Sequence, residues 1–316
     1  MEHHLDPELA AVADLFPRLD LADLDAARAV VRQVPGPEYE SARKLVVTDV
    51  VIPGHEADPD VVGRLYAPAD GPVPALIHLF GGAYVMGSID RVDHGARLLA
   101  DRAGVAVLAV SYRLAPEHPY PAALHDAYAA LTWLTGPAAA GLGVDVDRVG
   151  VLGESAGGGL AAALALLARD RGGPRLRAQF LDAPTIDDRL ATHSIRTLVD
   201  APVWQPRNSV HSWAYYLRGT AEPGSPDVPL YAAPARAAVE DLVGLPPAFV
   251  TSYQVDPTRD EGLEYALALM RAGVPTELHN YAGAFHVAYL VPGTRIGARI
   301  TDDRVAAVRR LLVDGD

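Results

Sequence analysis

Short runs of β-branched and other apolar residues alternate along the chain with alanine- and leucine-rich stretches of helical period. Strand-length runs separated by helix-length segments are typical of a mostly parallel sheet covered by helices on both faces. The pattern predicts eight strands, at Lys44–Ile52, Val62–Tyr66, Ala75–Phe80, Val105–Val110, Val149–Leu152, Ala178–Leu181, Ala248–Gln254 and Thr276–Tyr281. It also predicts helices that include Ala122–Leu134, Gly158–Arg169 and Asp260–Ala272. Because no helix separates the first strands, we expect the sheet to begin as an antiparallel meander.

Two segments depart from this alternation. Residues 1–43 precede the first strand, and their apolar positions recur at three- and four-residue spacing, as on an amphipathic helix: Leu9, Val12, Leu15, Phe16 and Leu19. Residues 187–230 form a long connection, rich in proline, polar and aromatic residues, between the sixth and seventh strands. Connections of this length are uncommon unless they have a function such as covering a site. We therefore expect a core in two parts, 44–186 and 231–316, with the long connection inserted between them.

Composition narrows the classes of function. The chain has 316 residues, of which 50% are hydrophobic, so it can bury a large core. Its formal net charge of −13 disfavours nucleic acids and anionic membrane surfaces as partners. The absence of cysteine excludes disulfides, thiolate metal sites and a cysteine nucleophile. No apolar run reaches the roughly 18 residues of a membrane span, and the first residues lack the pattern of a signal peptide, so we expect a cytoplasmic protein.

The segment "VLGESAGG" raises the first question of chemistry, because an apolar strand ends there in a serine flanked by glycines. Gly153, Ser155 and Gly157 fit the pattern G-x-S-x-G, a tight strand-to-helix turn that presents a nucleophile. A predicted strand precedes this turn and a predicted helix follows it. The hydroxyl of Ser155 would therefore lie at the carboxyl end of a central strand and at the N-terminus of a helix, where a developing negative charge is stabilised.

A serine hydroxyl needs a base to accept its proton, and the base needs a carboxylate to orient it. Asp256 follows the strand "AFVTSYQ", and His286 lies in the glycine-bearing loop "YAGAFHVAY" after the last strand. Both occur after the serine, in the order expected of an α/β-hydrolase. Asp260 is the competing acid, although it opens a helix and is better placed as a cap. His279 falls within the final strand, which suits a base less well.

Donors for a tetrahedral oxyanion are predicted at the end of the third strand. In "HLFGGAYVMGS", the run Gly81, Gly82 and Ala83 can bring backbone N–H groups close to a substrate because no bulky side chain intervenes. The N–H of Ala156, the residue after the nucleophile, completes the predicted oxyanion hole. The mechanism requires no cofactor and no metal ion, and the pair His3 and His4 does not indicate a metal site.

These segments together resemble those of the bacterial hormone-sensitive-lipase family of esterases, which has the α/β-hydrolase fold. The matching stretches run from about residue 75 to 290: "SYRLAPEHPYPAALHDA" from Ser111 to Ala127, "GESAGGG", "DPTRDEGLEYALALMRAGVP" and "GAFH". The resemblance implies an eight-stranded, mostly parallel sheet with a helical cap, whose two parts would be residues 1–43 and 187–230. It also implies that Ser155, Asp256 and His286 form the catalytic triad.

One position departs clearly from the family's pattern. The oxyanion loop of the family usually reads H-G-G-G, whereas Phe80 stands here in place of the histidine and Ala83 in place of the last glycine. Phenylalanine cannot make the hydrogen bonds with which that histidine holds the loop. His78 lies two residues earlier on the same face of the strand and is a candidate partial substitute. Glu154 replaces the commoner aspartate before the serine and keeps the charge.

Three functions remain open from the sequence. The leading hypothesis is a serine carboxylesterase that acts on short- to medium-chain esters, with a small-molecule ester as its partner. A second is a small-molecule receptor, because plant gibberellin receptors resemble the same family and have lost catalysis. A third is a deacetylase, amidase or acyltransferase acting on a specialised metabolite. Trp204 and Trp213 either line an acyl or alcohol pocket or form the core of the cap, and a homodimer is left open.

Overall fold

The computed structural model describes residues 4–33, 36 and 38–315, and this part of the chain forms one sheet of eight strands. The strands lie in the order β1-β2-β4-β3-β5-β6-β7-β8. Their bounds are β1 Leu45–Ile52, β2 Val61–Pro68, β3 Val73–Leu79, β4 Ala106–Val110, β5 Val144–Glu154, β6 Gln179–Asp182, β7 Ala248–Val255 and β8 Thr276–Phe285. The predicted eight-stranded α/β fold is therefore confirmed.

The sheet begins antiparallel and continues parallel. Strand β1 pairs with β2, and β2 pairs with β4, both in antiparallel register, whereas every later pair is parallel. The predicted meander is thus right in its direction but wrong in its third member, which is β4. Strand β3 is displaced to the far side of β4 because a helix follows it, and a helical crossover returns the chain parallel to the strand that it left.

Helices cover both faces of the sheet. Their bounds are α1 Pro7–Ala10, α2 Leu24–Gln33, α3 Asp93–Arg102, α4 Ala122–Leu134, α5 Pro137–Ala140, α6 Ala156–Asp170, α7 His193–Thr197, α8 Pro206–Tyr216, α9 Arg259–Arg271 and α10 Arg295–Val308. The two faces can be told apart at β5. A Cβ on Gly150 would lie 3.1 Å from a methyl of Leu312, just beyond α10, whereas one on Gly153 would lie 1.9 Å from the carbonyl of Gly157 in α6.

The N-terminal segment is less regular than its apolar spacing predicts. In place of one amphipathic helix, the described residues form α1, a turn of 3₁₀ helix at Ala13–Leu15 and α2. Leu9 is fully buried against Phe285 and its neighbours, but Leu15 is 78% exposed. Residues 1–3, 34, 35 and 37, over which the prediction also extended, lie outside the described residues.

The long connection meets the N-terminal segment in space. It contains α7 and α8, and Asn208 of α8 binds the chain just before α2. The Asn208 amide donates to the carbonyl of Leu19 and accepts the N–H of Leu21, both at 3.0 Å. The Tyr215 hydroxyl also donates to the Leu21 carbonyl, at 3.1 Å. The two segments that departed from the strand–helix alternation are thus joined to each other.

No helix within the described residues is long and apolar enough to cross a membrane.

Candidate active site

Ser155 lies at the turn between β5 and α6, in a backbone conformation that few residues adopt. Its φ is 55° and its ψ is −121°, a strained combination for a residue with a side chain. The flanking glycines are required by close packing. A Cβ on Gly153 would lie 1.9 Å from the Gly157 carbonyl, and one on Gly157 would lie 2.0 Å from the Leu79 carbonyl. Only glycine fits these two positions, which explains the pattern G-x-S-x-G.

The structure brings the three predicted triad residues together. His286 Nε2 lies 2.9 Å from Ser155 Oγ, and His286 Nδ1 lies 2.7 Å from Asp256 Oδ2. All three side chains are buried. The other carboxylate oxygen of Asp256 accepts the N–H of Thr258 at 2.9 Å, which fixes the carboxylate toward the imidazole. The arrangement can move a proton from the hydroxyl to the imidazole while the carboxylate orients the ring.

The competing residues lie elsewhere. Asp260 accepts the N–H of Ser194 at 2.7 Å, at the start of α7, and also pairs with Arg259. It therefore holds the long connection against α9. His279 lies on β8 and contacts Glu277 at 2.8 Å.

The predicted oxyanion residues Gly81, Gly82 and Ala83 line the same pocket as Ser155, and Ala156 follows the serine in the chain. A Cβ on Gly81 would lie 3.2 Å from the Ser155 Cβ, so this glycine leaves the approach to the serine open. Gly82 has a φ of 143°, and a Cβ there would lie 2.0 Å from the Met86 carbonyl. Ala83 adopts a φ of 56°. Ala156 begins α6, so its N–H has no acceptor within the helix.

The loop keeps its shape without the family's histidine. The Phe80 ring stacks on Tyr112 with centroids 4.2 Å apart, and the Tyr112 hydroxyl donates to the Phe80 carbonyl at 2.6 Å. Further along, the Ser212 hydroxyl donates to the Ala83 carbonyl at 2.9 Å. The long connection and the segment that follows β4 therefore supply hydrogen bonds to the loop. Among the described residues, the hydrogen bond found for the His78 side chain is with Glu154 and not with this loop, so His78 does not replace the family's histidine in the way that we expected.

Comparison with known proteins gives the family. A family model described as the alpha/beta hydrolase fold matches residues 76–290. The chain belongs to this α/β-hydrolase family. It is 38% identical to a carboxylesterase, NlhH, of Mycobacterium tuberculosis over 98% of this chain and 96% of that protein. It is 35% identical to an arylesterase of Saccharolobus solfataricus over 76% of this chain and 78% of the other. The solved structure of a bacterial heroin esterase matches with a TM-score of 0.93 and 42% identity over 98% of both chains.

Beneath the nucleophile, this hydrolase contains a buried cluster of charged side chains. Glu154 contacts His78 Nε2 at 2.9 Å and accepts from Arg304 at 3.1 Å. Arg304 also pairs with Asp182, whose second oxygen accepts the Tyr253 hydroxyl at 2.6 Å. Two carboxylates from adjacent strands are therefore bridged by one guanidinium from α10. The sequence analysis missed Arg304 and Asp182, because nothing in the local pattern distinguishes them from surface charges.

The cluster keeps Glu154 ionised. Burial alone raises the pKa of this carboxyl, but His78, Arg304 and a hydrogen bond from Tyr289 together lower it to about 2. The His78 N–H at Nε2 consequently donates to a carboxylate. His78 lies on β3 and Glu154 on β5, so the bond joins the strand of the oxyanion loop to the strand of the nucleophile.

A pocket of about 460 Å³ opens onto Ser155 and His286, and we call it the Ser155 pocket. Its walls are mostly apolar and include Leu19, Phe80, Met86, Leu98, Trp204 and Leu290. The sequence left open whether Trp204 and Trp213 line a pocket or form the core of the cap, and the structure gives them different surroundings. Trp204 lines this pocket, whereas Trp213 is fully buried beside Tyr84 and Tyr216.

Within residues 4–33, 36 and 38–315, no group of three or more histidine, aspartate or glutamate side chains is arranged to hold a metal ion. His3 lies outside this range.

Proposed function

We propose that this hydrolase is a serine carboxylesterase that cleaves short- to medium-chain esters through an acyl-enzyme. The observation that carries the proposal is the chain of hydrogen bonds from Ser155 through His286 to Asp256, which faces the Ser155 pocket. The names of the relatives, a carboxylesterase and an arylesterase, support the same reaction class. A complete triad argues against a receptor that has lost catalysis.

In the first half of the proposed reaction, Ser155 Oγ attacks the ester carbonyl carbon while His286 Nε2 takes the hydroxyl proton. Asp256 accepts the hydrogen bond of His286 Nδ1 and stabilises the imidazolium. The N–H groups of Gly82, Ala83 and Ala156 hold the oxyanion, and Gly81 shapes the loop. The tetrahedral intermediate then collapses: the carbonyl re-forms, the ester C–O bond breaks, and the leaving alkoxide receives the proton from His286.

In the second half, His286 takes a proton from a water molecule as the water oxygen attacks the acyl carbonyl. The second tetrahedral intermediate collapses with cleavage of the bond to Ser155 Oγ, which recovers its proton from His286. An alcohol in place of water would make the same step an acyl transfer. A pocket of about 460 Å³ favours small acyl groups over long lipid chains.

We also propose that the two joined segments, residues 1–43 and 187–230, act as a cap over the site. Their described parts contribute Leu19, Val31 and Trp204 to the pocket wall. The cytoplasmic location and the homodimer stay predictions, to be examined by cell fractionation and by light scattering after size-exclusion chromatography.

The decisive experiment compares wild type with Ser155→Ala on 4-nitrophenyl acetate, butyrate, octanoate and palmitate at neutral pH. We expect hydrolysis of the shorter esters to fall by about a millionfold in kcat in the variant, with unchanged circular dichroism. A wild type no faster than the variant would contradict the proposal and favour a receptor. Added methanol tests the alternative chemistry, because an acyltransferase would form more methyl ester than free acid.

A further inference from the structure

The proposed reaction fixes which side of the site receives the leaving alcohol. His286 Nε2 must deliver a proton to the alkoxide oxygen, so the group attached to that oxygen lies beside His286. An aromatic side chain that contacts His286 and lines the pocket is Trp204, from the long connection. Its ring centroid lies 6.1 Å from that of His286, at an interplanar angle of 34°.

Trp204 is held in place before any substrate arrives. Its indole Nε1 donates to the Ser209 hydroxyl, in the first turns of α8, at 3.0 Å. Leu21, Ala83 and Met86 belong to the same buried apolar cluster. The side chain is only 6% exposed, and it lines the Ser155 pocket. A ring fixed in this way loses little conformational entropy when a ligand packs against it.

The other large aromatic side chains of the pocket are already engaged. One face of Phe80 is covered by Tyr112 at 4.2 Å between centroids, and Arg304 lies 4.2 Å above the Tyr289 ring. Among the described residues, the one ring contact found for Trp204 is the tilted contact with His286. Trp204 is therefore the large aromatic side chain of the pocket whose ring contact is with His286, where the leaving group lies.

We propose that Trp204 is a specificity-determining residue that stacks against the leaving group, and that the preferred substrates are short-chain esters of alcohols bearing an aromatic ring. This inference rests on the proposed carboxylesterase function and adds the class of alcohol. A flat ring on the leaving oxygen would lie against the part of the indole that lines the Ser155 pocket beside His286, where offset or tilted aromatic pairs are favourable. A saturated ring of the same size fills the same volume without that interaction.

The test compares benzyl butyrate with cyclohexylmethyl butyrate, which differ in the aromaticity of the ring and share the acyl group. We expect wild type to prefer the benzyl ester in kcat/KM. This preference should fall about fivefold in Trp204→Leu and stay within about twofold in Trp204→Phe. Leu19→Ala is the matched control, because it enlarges the same pocket without removing a ring, and it should change both rates in the same proportion. A preference that survives in Trp204→Leu, or that falls equally in Leu19→Ala, would overturn the inference.

A measurement without turnover separates this inference from the proposed function. Benzyl alcohol and cyclohexylmethanol are titrated by NMR into Ser155→Ala and into the double variant Ser155→Ala with Trp204→Leu. Tighter binding of benzyl alcohol that is lost in the double variant supports the stacking role even where no ester is hydrolysed. Equal binding of the two alcohols in Ser155→Ala contradicts it even where ester hydrolysis by wild type is fast.

Discussion

His78 Nε2 and Glu154 Oε2 lie 2.9 Å apart beneath the nucleophile, and both side chains are almost completely buried. The bond links β3, which leads into the oxyanion loop, with β5, which ends at Ser155. Their separation of 76 residues in sequence means that only the folded sheet brings them together.

His78→Phe should destabilise the protein by about 1–3 kcal/mol, because it leaves one carboxylate oxygen of Glu154 buried without its donor. We expect kcat for 4-nitrophenyl butyrate to fall with it, since Glu154 adjoins Ser155. His78→Gln retains an N–H donor and should recover part of both losses. The free energy of unfolding from urea titrations and kcat from initial rates are the two measurements. A His78→Phe variant as stable and active as wild type would show that the pair contributes nothing.

The depressed pKa of Glu154 predicts a specific dependence of stability on pH. Its carboxyl has an ordinary pKa of 4.5 in the unfolded chain and about 2 in the folded protein, so the folded state favours the ionised form. The stabilisation of the folded protein by ionised Glu154 is fully present above pH 4.5 and is lost as the pH falls toward 2. Glu154→Gln should remove this slope and cost about 3 kcal/mol at neutral pH.

Glu117→Gln provides the control for that prediction. The pKa of Glu117 is also lowered to about 2, chiefly by its hydrogen bond with Arg28, but its side chain is 55% exposed. Solvent screens such a pair, so we expect a cost below about 1 kcal/mol. Equal losses in the two variants, from urea unfolding between pH 2 and 7, would mean that burial of Glu154 is not what matters.

Glu261 should respond to pH in the opposite direction. Burial raises the pKa of this carboxyl well above its usual range, and its Oε2 accepts the N–H groups of Ile186 and Asp187 at 2.8 and 2.6 Å. The folded state therefore binds the proton of Glu261 more tightly than the unfolded chain does. The contribution of protonated Glu261 to the free energy of unfolding is fully present below pH 4.5 and declines as the pH rises. Glu261→Gln keeps the acceptor and removes the ionisation. Thermal unfolding should show it more stable than wild type at pH 8 and little changed at pH 4.

Gly82→Ala should damage catalysis far more than folding. The new Cβ would lie 2.0 Å from the Met86 carbonyl, at a φ of 143°, so the loop must move and its N–H groups with it. Loss of one oxyanion donor typically lowers kcat about 100- to 1000-fold. Gly219→Ala is the control, because its φ is also positive, at 77°, but nothing lies within 4 Å. It should cost about 1 kcal/mol in unfolding experiments and leave kcat unchanged. Similar kcat values for the two variants would contradict the assignment of the loop.

The parts that sequence could predict are those that depend on local pattern. Ser155, Asp256 and His286 each follow a predicted strand, and parallel strands bring their carboxyl ends to one edge of the sheet. Helix α4 was predicted with the bounds that the structure gives. The strict packing around Gly153 and Gly157 explains why this pattern is so informative.

The parts that sequence missed depend on distant partners. Strand β5 begins at Val144 rather than Val149, because its charged first residues continue the pairing with β3 across a shift in register. Strand β8 extends to Phe285, beyond Gly283, whose carbonyl binds the N–H of Asp6. The partnership of Glu154 with Arg304 and the different surroundings of Trp204 and Trp213 likewise arise only when remote segments pack together.

The bonds of Asn208 to the backbone at Leu19 and Leu21 have a consequence for how such enzymes can exchange parts. A chimera that takes residues 187–230 from another esterase but keeps this N-terminal segment retains the two bonds only if the new segment places an amide side chain where Asn208 lies. Any recombination breakpoint inside residues 44–186 separates the two segments. We therefore expect substrate preference to transfer between relatives most completely when both segments are exchanged together.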